Sequence, residues 1–376
     1  MFSSQRMIIL AEGRFGPVSS KTANGAIAFM TDRVVAVIDS RMAGKTAQEV
    51  LGYGGSIPVV GTLQEGMAFR PDALLIGIAP AGGQLPAAWR RFVLEALRGG
   101  LHVLSGLHTM LADDPEFAAL AASGGLTITD LRRIPQESKV VSRGTWRLRS
   151  ARTVLTVGTD CKIGKMTTLL AVDAELRRRG RRSAFIGTGQ TGILIAGNGV
   201  SVDAVVGDYI AGSIEREIDR ADRAGAELIL VEGQGALTHQ GYSSVTLGLM
   251  HGTMPDAMIL NHQPTRLSDD YGFPLPDLRR TVRLHEEVIG IFRPTKVVGI
   301  GLNSVGLTDA ESRDAARRIE DETGLPAIDA FRFGAGPLVN ALESYLASAP
   351  RVSYTGPLPS PSGPWDRGGH AGKESA

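Results

Sequence analysis

The sequence predicts an α/β protein made of two parallel-sheet halves, the first Rossmann-like and the second like a P-loop NTPase. Three observations carry this. Short apolar, β-branched runs alternate with longer amphipathic stretches along the whole chain; a polar, basic segment without periodicity interrupts them at 132–150; and a glycine-bounded loop ending in Gly-Lys joins a strand to a helix at 154–168. Apolar runs of strand length signal strands covered on both faces, and the amphipathic stretches between them supply the cover.

In the first half, strands are expected at Met7–Leu10, Arg33–Asp39, Ile57–Val60, Ala73–Ala79, Leu101–Ser105 and Leu126–Asp130. Pro86–Arg98 places apolar residues at helical spacing, and Gly99-Gly100 stops the helix. The segment RRIPQESKVVSRGTWRLRS, with Pro135, reads as a junction, so residues 1–140 form one expected domain and 141–349 the next. That second domain opens with the strand Thr153–Val157 and the helix Lys165–Arg179, which stops at Gly180. Further strands are expected near Arg182–Ile186, Leu228–Val231, Ala257–Asn261 and Lys296–Leu302, with helices at Ile210–Ala224 and Asp309–Glu322. Residues 350–376, rich in Pro, Gly and Ser, have too little apolar surface to order themselves and read as a flexible tail.

Composition narrows the partners. With 40 Lys+Arg against 39 Asp+Glu the net charge is +1, so no whole-protein field exists to hold nucleic acid or an anionic membrane, and any anion site must be local. The single Cys161 rules out a disulfide framework and fits a reducing cytoplasm. No stretch approaches the roughly 20 apolar residues of a spanning helix. A cytoplasmic protein acting on a small molecule is expected, without nucleic-acid or membrane partners; a homo-oligomer is left open.

The strongest local signal is VLTVGTDCKIGKMTT, Val154 to Thr168. Gly158 and Gly164 permit a tight turn, successive N–H groups converge, the following helix adds partial positive charge at its N-terminus, and Lys165 adds a full one: a cradle for a diphosphate. Thr159, Asp160, Cys161, Lys162 and Ile163 make five residues between the glycines, a spacing like that of dethiobiotin synthetase rather than the standard four. The residue after the lysine is ordinarily Ser or Thr, whose hydroxyl holds magnesium; here it is Met166, a poor ligand for a hard cation unless Thr167 or Thr168 substitutes. Coenzyme A, whose diphosphate needs cations and N–H donors but no terminal-phosphate transfer, suits such a loop, and no metal is expected.

Other strand ends converge on the same edge in such a fold. LILVEGQGAL ends in Glu232, a candidate base, with Gly233 and Gly235 behind it. FIGTGQTGILIAG offers Thr188, Gln190 and Thr191 to polar ligand groups, GDYIAG offers Asp208 as a base or helix cap, and LTHQGYSSVTLGLMHG contains His239 and His251. The strand before Gln263 ends in Asn261 and His262, and VVGIGLNS ends in Asn303; these asparagines are candidate readers of an adenine edge, while Arg266 is a candidate carboxylate clamp. Cys161 fits a small loop residue better than a nucleophile, since no His–Asp partner is evident. In the first half, Asp39 at a strand end and Gly44-Lys45-Thr46 are weak signals, and no G-x-G-x-x-G follows the first strand, so a nicotinamide cofactor is poorly supported.

Through GTDCKIGKMTT, VEGQGAL and SSVTLGLMHGTMPDAMILNHQPTR, the sequence resembles the D-glutamate N-acetyltransferase family over about residues 7 to 347. The resemblance implies a Rossmann-like domain followed by a P-loop domain, and acetyl transfer from acetyl-CoA to the amino group of D-glutamate in D-amino-acid catabolism. It carries over the loop Gly158–Thr168 but assigns no catalytic residue. The chemistry calls for a base, for which Glu232, Asp160, Asp208 and His239 are candidates, and for cations to meet two carboxylates, for which Lys162, Arg266 and Arg332 are candidates. Two other readings remain open: an ATP-dependent ligase or kinase of the dethiobiotin-synthetase type, and a non-catalytic nucleotide- or CoA-sensing module.

Overall fold

A computed structural model describes residues 5–78 and 80–351. Ala79, at the end of the strand expected at Ala73–Ala79, and residues 352–376 of the expected tail lie outside the described residues. The chain divides into two compact units: residues up to Pro135 together with Ile186–Ala204, and Gln136–Phe185 together with the residues from Val205 onward. Among the described residues, no helix is long and apolar enough to cross a membrane.

The first unit is built on six strands: β1 (Met7–Leu10), β2 (Val34–Ile38), β3 (Val59–Val60), β4 (Ala73–Ile76), β5 (His102–Ser105) and β6 (Ile128–Asp130). Their order β3-β2-β1-β4-β5-β6, with parallel pairing throughout, is that of the Rossmann fold. β1 and β4 are buried along their whole length, as strands covered by helices on both faces must be. The helix expected from Pro86 begins as a 3-10 turn at Ala87–Trp89 and is regular over Arg90–Arg98. Asp39 does not present its carboxylate to a ligand: it accepts from the amides of Phe15 at 2.8 Å and Arg41 at 2.9 Å. Thr46 of the Gly-Lys-Thr run is the N-cap of the helix Ala47–Leu51, in a capping box with Glu49.

The glycine-rich stretch after Phe185 belongs to this first unit. Gln190–Ala196 is a helix, not a loop, and packs on the helix Lys21–Phe29. Thr191 Oγ1 lies 3.3 Å from Thr22 Oγ1, and Gln190 Oε1 accepts from Arg132 Nη2 at 2.8 Å. Buried Arg132 also donates to the Gly106 carbonyl and pairs with Asp203. Thr188, Gln190 and Thr191, all buried, therefore sit in a packed polar seam of the first unit.

The second unit holds β7 (Arg152–Gly158), β8 (Ser183–Ile186), β9 (Leu228–Val231), β10 (Ala257–His262), β11 (Lys296–Leu302) and β12 (Ala327–Ile328), in the order β12-β11-β10-β7-β9-β8. β7 lies in the middle, parallel to β10 on one side and β9 on the other. Loops leaving the C-terminal ends of β7, β9, β10 and β11 thus gather along one edge, where the chain direction across the sheet reverses and open α/β sheets bind ligands. The junction segment folds onto this unit: Glu215 accepts from the amides of Arg143 and Thr145, and Trp146 is buried.

Candidate functional site

The loop from Gly158 to Gly164 runs from β7 into the helix Lys165–Arg178. Gly164 takes φ +100° at the helix N-cap, a conformation closed to ordinary side chains. Thr159 N–H donates to the Asn261 carbonyl at 3.0 Å, tying the loop to β10. Lys165, only 6% exposed, donates from Nζ to the Asp160 carbonyl at 2.7 Å, so its ammonium lies within the loop. The first-turn amides of that helix have no helical acceptors and complete an anion-binding end. Met166 is buried against the unit, and Ile163 is wholly inside.

β9 reaches the loop through its end. Gly233 N–H donates to Thr156 Oγ1 at 2.9 Å, and a Cβ on Gly233 would stand 1.8 Å from the Thr156 carbonyl, so only glycine allows this approach. Glu232 is thereby buried at the sheet's C-terminal edge, with Oε1 accepting from Gln234 Nε2 at 3.3 Å. Since the Gly233 amide is engaged, it is not a donor for an oxyanion.

Within the loop Asp160 has no exposed surface. Its Oδ1 accepts from the Cys161 amide at 2.6 Å, Arg266 Nε lies 2.5 Å from its Oδ2, and His239 Nε2 lies 3.9 Å from Oδ1. His239 Nδ1 accepts from the Gly241 amide at 3.1 Å, which puts the ring proton of neutral His239 on Nε2, facing Asp160. In that tautomer the one lone pair of the imidazole is occupied, so His239 has none left to act as a base. Its ring packs against Tyr242 and Tyr271, at centroid distances of 4.8 and 5.4 Å. Asp160, Cys161 and His239 bring one possible ligand atom each within 4.8 Å of one another. That set suits a cation poorly: a guanidinium already neutralises Asp160, and ligation through Nε2 would force a proton onto Nδ1, where an N–H already donates. Burial pushes the Cys161 thiol up from its ordinary value, so Cys161 is a thiol and not a thiolate.

The remaining candidates divide between bracing and binding. Asn261 donates from Nδ2 to Thr168 Oγ1 at 2.8 Å, locking the helix Lys165–Arg178 to β10. Asn303 stands beside Gly164, its Oδ1 accepting from the Val305 amide. Arg332 donates to the Leu307 and Ser304 carbonyls and fixes the loop after β11, so it is no free clamp for a carboxylate. Asp208 is exposed on a turn, and the helix Ile210–Arg223 that follows has no side-chain cap. Of two further groups, the sequence names His262 without a role and leaves Asp270 unmarked. Burial holds His262 down to about 4, hence neutral, with Nδ1 3.1 Å from Thr159 Oγ1. Asp270, in the loop after β10, bonds Arg266 at 2.7 Å and Lys162 at 3.4 Å. His262 is at least visible as a strand-end histidine, whereas nothing separates Asp270 in sequence from the other polar residues of SDDYG.

A Rossmann-ordered sheet in one unit, and a Gly-Lys loop feeding a helix from the central strand of a second, define a two-unit P-loop protein. Residues 40–134 match the N-terminal Rossmann-like domain and residues 140–339 the C-terminal P-loop domain of DUF1611, both described as domains of unknown function. The chain belongs to the DUF1611 family. It is 42% identical over 287 residues to a D-glutamate N-acetyltransferase of Tritonibacter scottomollicae, covering 75% of this chain and 84% of that protein. It is 32% identical over 268 residues to a D-glutamate N-acetyltransferase of a Pseudoalteromonas species, covering 70% of this chain and 79% of the relative. A crystal structure of a DUF1611 family protein from Anabaena variabilis superposes with a TM-score of 0.86 at 36% identity, covering 91% of this chain and all of that one. Both named relatives are acyltransferases, on a fold more familiar for nucleotides.

Proposed function

We propose that this chain transfers an acetyl group from acetyl-CoA to the amino group of D-glutamate or a closely related D-amino acid, as a step of D-amino-acid catabolism in the cytoplasm. The two relatives named for that reaction support it, and so does the chemistry of the cradle. Lys165 and the first-turn amides of the helix Lys165–Arg178 suit the CoA diphosphate.

One observation carries the choice of CoA over a metal-chelated nucleotide. Position 166 is a buried thioether, and the Thr168 side chain is buried against Asn261 of β10 and Gly301 of β11, which leaves Thr167 of that turn to offer magnesium an oxygen.

In the reaction the amine nitrogen attacks the thioester carbonyl, the N–C bond forms, the C–S bond breaks, and the thiolate leaves to be protonated as CoA. The acceptor's ammonium must first give its proton to a base. We assign that role to Glu232, a carboxylate buried at the end of β9 beside the cradle, in preference to His239, whose lone pair is engaged.

Calorimetry with acetyl-CoA and with Mg-ATP, followed by mass spectrometry of products from acetyl-CoA and a panel of D- and L-amino acids, tests the proposal. The expected result is metal-independent binding of acetyl-CoA and an N-acetylated product from D-glutamate. Magnesium-dependent ATP binding with ADP release, or ligand binding without turnover of any amino acid, would overturn it in favour of a ligase or a sensing module respectively.

A further inference from the structure

The loop after β10 carries a carboxylate seated on two cations that a dicarboxylic acceptor would need. Asp270 Oδ1 accepts from Arg266 Nη2 at 2.7 Å, and its Oδ2 from Lys162 Nζ at 3.4 Å. Arg266 Nε in turn lies 2.5 Å from Asp160 Oδ2. Asp160, Arg266, Asp270 and Lys162 therefore alternate in charge from the floor of the site to its surface, with side-chain exposures of 0, 19, 44 and 70%.

The two ends of this series differ in how firmly they are held. Asp160 is buried in the cradle loop, with the Cys161 amide on its second oxygen, so the inner pair is fixed. Asp270 is half-exposed and hangs from a turn organised by its neighbour: Asp269 Oδ1 accepts the amides of Tyr271 and Phe273, and Gly272 takes φ +81°. An ion pair in that setting is worth little and exchanges readily with an external anion of the same shape. Lys162 is held in the left-handed region at φ +58°, unusual for a side chain with a Cβ, beside that same carboxylate.

We infer that Asp270 is a built-in stand-in for the side-chain carboxylate of the acceptor: a dicarboxylic amino acid displaces Asp270 from Arg266 and Lys162, and an acceptor with a neutral side chain cannot. The inference rests on the acceptor class proposed above. The planar guanidinium of Arg266, its Nε against Asp160, presents Nη2 to whichever carboxylate occupies the outer position. Exchange keeps the charge balance of Arg266 and Lys162 intact, which is what makes the position selective for an anion. A phosphate of CoA is the other anion that such cations would hold, so the test separates the two.

The experiment is calorimetry on the full chain, wild type, Asp270→Asn and Asp270→Ser, with glutarate as an amine-free dicarboxylate and with CoA. Removing the internal competitor is expected to tighten glutarate roughly two- to thirtyfold, the range of two exposed ion pairs, and to leave CoA unchanged. Glutarate affinity unchanged or weakened in both variants, or a gain for CoA in place of glutarate, overturns the inference. Glutarate binding requires no turnover, so its outcome is read apart from the acetylation reading, which fails on its own if the wild type forms no N-acetyl product from D-glutamate.

Discussion

Replacing Lys165 by Met keeps the aliphatic stem in its buried channel and removes the ammonium, which separates charge from packing. In the structure Nζ lies 2.7 Å from the Asp160 carbonyl, so a bound diphosphate takes over a donor that is already directed into the loop. A unit charge about 4 Å from an anionic oxygen contributes about 4 kcal/mol at an effective dielectric constant of about 20. Giving up the carbonyl bond costs about 1 kcal/mol, and a hydrogen bond to a charged group is worth about 1.5–3 kcal/mol net. The two routes agree on about 2–3 kcal/mol, or roughly 30- to 150-fold in Kd at about 1.4 kcal/mol per tenfold. The assay is calorimetric titration of acetyl-CoA at fixed ionic strength, with S-acetylpantetheine, which lacks the diphosphate, as the paired ligand. The loss should appear with acetyl-CoA and vanish with S-acetylpantetheine. An Lys165→Met protein that melts like wild type and binds acetyl-CoA within about threefold of it refutes the cradle assignment, because no diphosphate on this loop escapes the lysine.

Cys161→Ala should keep turnover within about threefold of wild type, since burial holds the thiol protonated, and quenched reactions should yield no acetylated peptide containing residue 161; a thousandfold loss would restore Cys161 as a nucleophile. The buried histidines His262 and His285 are both held down to about 4, mainly by burial, against an ordinary 6.5. Folding therefore favours their neutral forms: their contribution is complete above pH 6.5 and is lost as pH falls from 6.5 toward 4, by at most about 3 kcal/mol each at about 1.36 kcal/mol per pH unit. Urea midpoints across that window should fall less steeply in His262→Gln/His285→Gln than in wild type, and parallel curves would refute the assignment.

The fold was legible because it is written in local pattern. β-branched runs such as Met7–Leu10 and Leu228–Val231 are buried on both faces and need no tertiary information to be recognised, and the stop at Gly180, φ +78°, follows from the residue itself. The amphipathic helix Leu278–Gly290 was passed over, and the pattern also lost elements whose signal is diluted. The two-residue β12 is too short to show alternation, and the helices Gln190–Ala196 and Ser243–Thr253 carry glycines that read as loop until the neighbours they pack on are known.

The site was legible only as far as its backbone. Gly158, Gly164 and Lys165 announce a cradle because a strand, a tight turn and a helix N-terminus suffice to build one. Roles of side chains around it depend on residues distant in sequence, and there the reading of residue types misleads. Asn261 looks like a reader of bases and braces Thr168, 93 positions away; Arg332 looks like a clamp and holds two carbonyls of the loop after β11. His239 has the residue type of a base, yet one backbone N–H, from Gly241, decides its tautomer and occupies its lone pair. The same logic applies to charge. Arg266 and Lys162 are cations in sequence, but Asp270 pairs with both before any ligand arrives, so their value to a substrate is the difference between two carboxylates rather than the full attraction of either cation. A site arranged this way selects by exchange: an acceptor is admitted when its own side chain replaces the carboxylate it removes.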